Sequence, residues 1–180
     1  FSVDKDIKVI PNFIGLQKTE RVSPCKRSVM ASADELIVTH ISNFRKVKRV
    51  DDVVRVFYGI QQQLPAKLIM VGDGPEREIA DQLCKDLGIK KKVLFLGNTS
   101  DIDRILCFTD LFLLPSESES FGLSALEAMA AGVPVVSSNA GGLSEVNEEG
   151  VSGYLCPIGD VQTMAEKAIY ILSDKDRLAQ

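Results

Sequence analysis

Two glutamates eight residues apart, Glu119 and Glu127, bracket the stretch Ser120-Phe121-Gly122-Leu123-Ser124-Ala125-Leu126. Carboxylates accept hydrogen bonds from sugar hydroxyls, and the free N–H groups at a helix start meet phosphate. Gly122 lets the backbone come close to a ligand. The spacing puts Glu119 in a loop and Glu127 a turn or so into the following helix. A plainer assignment makes Glu119 a helix cap and Glu127 a surface charge. Against it, Glu127 lies in Ala125-Leu126-Glu127-Ala128-Met129-Ala130-Ala131, an almost wholly apolar run in which a carboxylate needs a partner.

A second constellation is Ser42-Asn43-Phe44-Arg45-Lys46-Val47-Lys48-Arg49, with four positive charges and no carboxylate. Ahead of a helix, Arg45, Lys46 and Lys48 stand on the unfavourable side of the macrodipole unless an anion is present. A diphosphate would suit them, since Lys supplies a point charge and Arg a planar fork. The alternative is a solvated helix start. Gly72-Asp73-Gly74-Pro75 invites a dinucleotide reading, but the third glycine of that fingerprint is absent and position 77 is Arg. A tight strand-to-helix turn with Pro75 at the first helical position is the expectation. That absence also argues against an NAD-dependent dehydrogenase; a non-catalytic nucleotide-binding module stays open.

Metal and nucleophilic chemistry find less support. Three D-x-D matches, Asp4-Lys5-Asp6, Asp101-Ile102-Asp103 and Asp174-Lys175-Asp176, all lie away from the loops above. Four cysteines at 25, 84, 107 and 156 form no C-x-x-C pair, so neither a zinc site nor a disulfide framework is expected, and a reducing cytoplasm is the default. His40, which ends a strand, is expected to be structural rather than a general base.

The elements that must hold these loops read as short β-branched runs alternating with amphipathic stretches, the pattern of a parallel sheet covered by helices. Strands are predicted at Ile7 to Ile10, Leu36 to Ile41, Lys67 to Val71, Val93 to Leu96, Leu111 to Leu114 and Val133 to Ser137. Val50, Val53, Val54, Phe57 and Ile60 form one apolar helical stripe, with Asp51 and Asp52 at its favourable end. Further helices are predicted at Glu76 to Leu87, Asp101 to Phe108, Gly122 to Ala131, Leu143 to Asn147 and Val161 to Leu172. Residues 11 to 30 read as a surface connection. In such a sheet ligands bind beyond the carboxyl ends of the strands, where the unusual residues gather.

The chain has 180 residues, a length that suits one domain. A net charge of −4 with 45% hydrophobic residues excludes a basic nucleic-acid binder and a disordered tail. The longest apolar runs fall far short of the roughly 18 residues of a membrane helix. The abrupt opening on Phe1, without a signal-like segment, reads as a piece of a longer polypeptide.

Taken together, Glu119 to Glu127 matches an E-x7-E motif. With Leu126-Glu127-Ala128-Met129-Ala130-Ala131-Gly132-Val133-Pro134-Val135-Val136, Val71 to Pro75 and Gly141-Gly142-Leu143-Ser144-Glu145, essentially the whole chain resembles the retaining, GT-B-fold glycosyltransferases of the glycogen-synthase-like family (family 4, formerly group 1). The resemblance implies an α/β fold, a Rossmann-like doubly wound parallel sheet forming the C-terminal half of a GT-B enzyme. Residues 1–180 would then be a single nucleotide-sugar (donor) binding domain. The acceptor-binding residues and the catalytic-site histidine would belong to an N-terminal domain absent from this chain.

The same resemblance implies roles. Glu119 would bind donor-sugar hydroxyls, with the Phe121 and Gly122 backbone against the sugar. Leu123 and Ser124 N–H groups would face the diphosphate, and Glu127 would hold the ribose. Lys48 matches the family's phosphate-binding lysine. The arginine five residues earlier is replaced by Asn43, with Arg45 the nearest substitute. Asn43 and Gly72 complete the implied donor site, and Glu119, Arg45 and Lys48 its catalytic part. Ser144 stands where the family has proline, a change confined to the start of a helix. Within the family, His40 to Arg49 resembles a branch that transfers N-acetylglucosamine from UDP-N-acetylglucosamine to L-malate in bacillithiol biosynthesis. Other members act on glycans or lipids. The full enzyme would be a hexosyltransferase working on one face of the sugar, with the departing diphosphate stabilised by Arg45, Lys48 and helix N–H groups. No metal or other cofactor is expected. The implied partners are a nucleotide-sugar, a small-molecule acceptor and the N-terminal domain, and the chain alone is expected to bind nucleotide but transfer little.

Overall fold

A computed structural model describes residues 27–174. Strands and helices alternate through them: β1 (Leu36–Ile41), α1 (Val50–Gln61), β2 (Ala66–Val71), α2 (Arg77–Asp86), β3 (Val93–Gly97), α3 (Ile102–Leu106), β4 (Leu111–Leu114), α4 (Leu123–Ala130), β5 (Val135–Ser138), α5 (Leu143–Val146), β6 (Gly153–Cys156) and α6 (Val161–Leu172). The six strands form one parallel sheet in the order β3-β2-β1-β4-β5-β6. This is the doubly wound order of a Rossmann-like sheet, whose chain reverses direction of travel between β1 and β4.

The sheet is covered on both faces because its strands are apolar on both. Along β4, Leu111 and Leu113 join the core under α1, α2 and α6, whereas Phe112 and Leu114 join the core under α4. A third cluster packs Ile37, Ile69 and Val71 against Ile105 and Phe108. The stripe predicted for α1 is fully buried at Val53, Val54, Phe57 and Ile60. Each such side chain contributes about 1.5–3 kcal/mol through burial, so Phe57→Ala alone would cost about 3–5 kcal/mol. Arg27 and Asp110 tie the opposite, amino end of the sheet, where the Asp110 carboxylate also accepts from the Ile37 N–H at 2.7 Å.

The structure departs from the sequence reading in a few places. β6 was not predicted: it opens on Gly153, where a β-carbon would lie 1.7 Å from the Val135 carbonyl oxygen, so glycine is what lets the strand pair there. β5 begins at Val135 rather than Val133, because Pro134 has no N–H and the Val133 N–H closes the end of α4 on Ala128. Pro75 stands ahead of Glu76, the residue that caps α2, rather than at the first helical position. Cys84 and Cys156 are buried free thiols, but Cys107 is disulfide-bonded, against the expectation of an all-reduced chain. Ile7 to Ile10 lies outside the described residues. No helix among the described residues is long and apolar enough to cross a membrane.

Candidate functional site

The β1 and β4 carboxyl ends sit side by side, through the register Val38↔Leu111 and Thr39↔Phe112, at the point where the strand order reverses. Two loops leave this point, 42–49 and 115–122. Each is held by a glycine turn from the next strand out. A β-carbon on Gly72 would come within 1.8 Å of the Ser42 carbonyl oxygen, and one on Gly74 within 2.7 Å of that of Asn43. On the other side a β-carbon on Gly141 would come within 2.0 Å of the Glu119 carbonyl oxygen, which also accepts the Gly142 N–H at 3.0 Å. Gly72-Asp73-Gly74 thus forms the tight turn expected of it, and its glycines are required by a neighbouring backbone. A backbone bond joins the two loops, the Glu117 N–H donating to the Val47 carbonyl at 2.8 Å.

Charge meets at their junction. Lys48 Nζ lies 2.5 Å from Glu119 Oε1, with only 18% and 11% of the two side chains exposed. Ser116 Oγ donates to the same carboxylate oxygen at 3.0 Å, and the Ser116 carbonyl in turn accepts from the Ser138 hydroxyl. Both serines are fully buried. Glu119 is therefore aimed by a chain of bonds that reaches back to β5. The side chains of Arg45 and Asn43 share the basic loop, yet both are exposed and neither is bonded among the described residues.

His40 lies beneath this loop, wholly buried. Its Nδ1–H donates to the Leu113 carbonyl at 2.9 Å, which leaves Nε2 to accept from the Ser42 hydroxyl at 2.7 Å. Burial pushes its pKa down to about 4, against the Leu113 bond and helped by the Lys48 charge. The ring is neutral, satisfied on both nitrogens and out of solvent, the structural placement expected of it.

At the start of α4, Gly122 adopts φ +82° and receives the N–H groups of Ala125 and Leu126 on its carbonyl. The Leu123 and Ser124 N–H groups have no acceptor among the described residues, which leaves two donors and the helix's positive end facing outward. Leu123 is exposed and Phe121 half-buried. Glu127 corrects an expectation. It needs no partner and has no ion pair among the described residues, because the helix turns its side chain to solvent. Its carboxyl pKa is nonetheless raised, by partial burial and then by the Asp103 charge.

The structure thus joins Lys48 and Glu119, sets Gly72 behind the basic loop, and leaves Asn43, Arg45, Phe121, Gly122, Leu123 and Ser124 on the two loops and the α4 start, and Glu127 in the second turn of α4, without direct bonds to that pair. Ser116 and Ser138 were missed. In the run Ser116-Glu117-Ser118-Glu119-Ser120 nothing marks one serine as buried. Among the described residues no group of three or more His, Cys, Asp or Glu could hold a metal ion.

Residues 26–180 match the family described as glycosyl transferases group 1. The chain is 47% identical over 179 residues to N-acetyl-alpha-D-glucosaminyl L-malate synthase of Bacillus anthracis, covering 96% of this chain and 46% of that enzyme. Among solved structures it resembles S. aureus TarM in complex with Fondaparinux, alpha-GlcNAc-glycerol and UDP (TM-score 0.84, 25% identity, 99% of this chain and 35% of that one). It also resembles Anabaena Alr3699/HepE in complex with UDP and glucose (TM-score 0.77, 30% identity, 85% of this chain and 43% of that one). The chain therefore spans less than half the length of each of these three proteins.

Proposed function

The chain belongs to the group 1 glycosyl transferases, and on that premise we propose that it is the nucleotide-sugar-binding part of a retaining enzyme that moves N-acetylglucosamine from UDP-N-acetylglucosamine to L-malate. The observation that carries the reading is the Lys48–Glu119 contact at the strand-order reversal. A sugar-binding carboxylate and a phosphate-binding ammonium meet there, so the bond between the sugar's anomeric carbon and the diphosphate has one group for each side.

In this reading the donor diphosphate draws Lys48 away from Glu119, and the carboxylate, still held by Ser116, meets the sugar hydroxyls. Arg45, with no partner to give up among the described residues, and the Leu123 and Ser124 N–H groups share the diphosphate charge. These donors act most strongly as the leaving group departs, because charge on its oxygens grows toward the transition state. The Phe121 and Gly122 backbone lies along the sugar, and Glu127 accepts from the ribose hydroxyls. The acceptor and the remaining catalytic groups come from an N-terminal domain of the full-length enzyme. N-acetylglucosamine and malate are supported by the identity to the B. anthracis synthase, and UDP by the UDP-bound structural relatives. Location in the cytoplasm is part of the proposal and rests on the family rather than on the cysteines.

With cations and helix N–H groups meeting the diphosphate, binding requires no metal. Titration calorimetry of the chain with UDP in the presence of a chelator is expected to show saturable binding that weakens with salt. Binding that appears only after a divalent cation is added, or none at millimolar UDP, would overturn the reading.

A further inference from the structure

We infer that Arg49, which has no place in the donor site described above, is a positioning residue that sets Lys48 for the diphosphate; the inference rests on the reading of Lys48 as a phosphate ligand. Arg49 has φ +48° and ψ +51°, and among the described residues it is the only one other than glycine with a positive φ. A side chain makes that conformation costly, so it persists only where the surroundings over-determine it. Here they do. The Arg49 N–H donates to the Lys46 carbonyl at 3.0 Å, closing the short 3-10 turn Lys46–Lys48, while its own carbonyl accepts the Asp52 N–H at 2.9 Å and opens α1. The corner at Arg49 thus decides how the turn carrying Lys48 is set on the helix.

The side chain fastens that corner. Arg49 Nε donates to Asp52 Oδ2 at 2.5 Å, and Asp52 is only 4% exposed, so the guanidinium is tied to a carboxylate inside the first turn of α1. Its far end rests on the β6–α6 turn, where a β-carbon on Gly159 would lie 3.0 Å from Nη2. The guanidinium's pKa is raised, first by the Asp52 bond, and the Glu117 charge, on the loop that also carries Glu119, adds a smaller part. Two elements therefore contact one side chain and the charge of a third bears on it, immediately after the lysine whose Nζ reaches Glu119. Glycine would adopt this backbone without strain, but it could tie none of the three.

The test compares UDP with uridine by calorimetry on the purified chain, across Arg49→Ala, Arg49→Gly, Arg49→Lys and Lys48→Ala. Positioning through Lys48 predicts that Arg49→Ala and Arg49→Gly each lower UDP affinity about tenfold, roughly the effect of 1.4 kcal/mol. Uridine affinity should not change. Arg49→Lys, which keeps a cation near Asp52, should recover part of the loss. Arg49→Gly relieves the backbone but leaves the Asp52 carboxylate without its guanidinium, so parent-level uridine binding is the check that its fold is kept. UDP binding by Arg49→Gly at the unaltered level would overturn the inference, as would a fall in uridine binding in step with UDP, the mark of general damage. Lys48→Ala separates the two readings. If it leaves UDP affinity intact, the phosphate assignment itself fails; if it weakens UDP while Arg49→Gly does not, only the role of Arg49 fails.

Discussion

The two loops at the strand-order reversal are closed in the same way and equipped in opposite ways. Each is gripped by a glycine turn from its neighbour, Gly72 behind loop 42–49 and Gly141-Gly142 behind loop 115–122. On the acidic side, however, Glu119 is fixed by Ser116, whose backbone is fixed by Ser138. On the basic side the Arg45 and Asn43 side chains project without partners among the described residues, and Lys48 is paired with Glu119. In the proposed reading Arg45 is left free for an anion, whereas the carboxylate assigned to neutral hydroxyls is held in advance by Ser116. Preorganisation is placed where the ligand's own charge cannot supply the alignment.

The largest effect should come from the shared closure. Gly72→Ala puts a β-carbon into the Ser42 carbonyl and forces a residue at φ +120°, so a loss above about 3 kcal/mol in denaturant unfolding is expected. Gly88→Ala, also at positive φ but with nothing within 4 Å, should cost only about 1 kcal/mol. Similar losses would mean that backbone conformation, not close approach, explains Gly72.

Acid should loosen the basic side first. His40 has its pKa lowered from 6.5 to about 4, so the unfolded chain takes up a proton that the folded one refuses. The associated stability is intact above pH 6.5 and is lost as pH falls from there toward 4, by about 3 kcal/mol in all. At the other end of the sheet Glu35, lowered to about 2 chiefly by its bond to Lys92, loses its contribution only below its ordinary value of 4.5. Unfolding free energies between pH 7.5 and 5 should therefore slope in the parent chain and flatten in His40→Asn. An unchanged slope would remove His40 as its origin.

The two glutamates should then divide. Glu127→Gln is expected to weaken UDP by about 1.5–3 kcal/mol, the scale of charged hydrogen bonds. Glu119→Gln should leave UDP affinity unchanged or raise it, since it releases Lys48, and should lower turnover only in the full-length enzyme. Equal losses of UDP affinity would erase the distinction between the two sides of the crevice.

What could be read in advance follows the physics of each feature. The α1 and α6 helices and strands β1 and β4 were legible because periodicity reports burial directly. The Glu119 to Glu127 stretch stood out because a carboxylate in an apolar run is costly, although Glu127 lessens that cost by facing solvent. β6 was not legible: a strand that starts on Gly153 carries little β-branched pattern, and its pairing depends on a carbonyl contributed by β5. Ser116, Ser138 and Arg49 were invisible as functional residues for a related reason. Ser138 reaches the Ser116 carbonyl 22 residues away, whereas Ser116 and Arg49 bond Glu119 and Asp52 three residues on, through burial that no local pattern marks.

The crevice between β1 and β4 owes its existence to the order in which the strands are threaded, since one crossover leaves the sheet in each direction from that seam. No side chain has to carve it. New loops spliced onto β1 or β4 would inherit a place to hold a ligand before acquiring any chemistry with which to hold one. The scaffold can therefore keep its stability account separate from its repertoire: the amino end of the sheet, knotted by Arg27 and Asp110, guards the fold while the opposite rim is free to diversify.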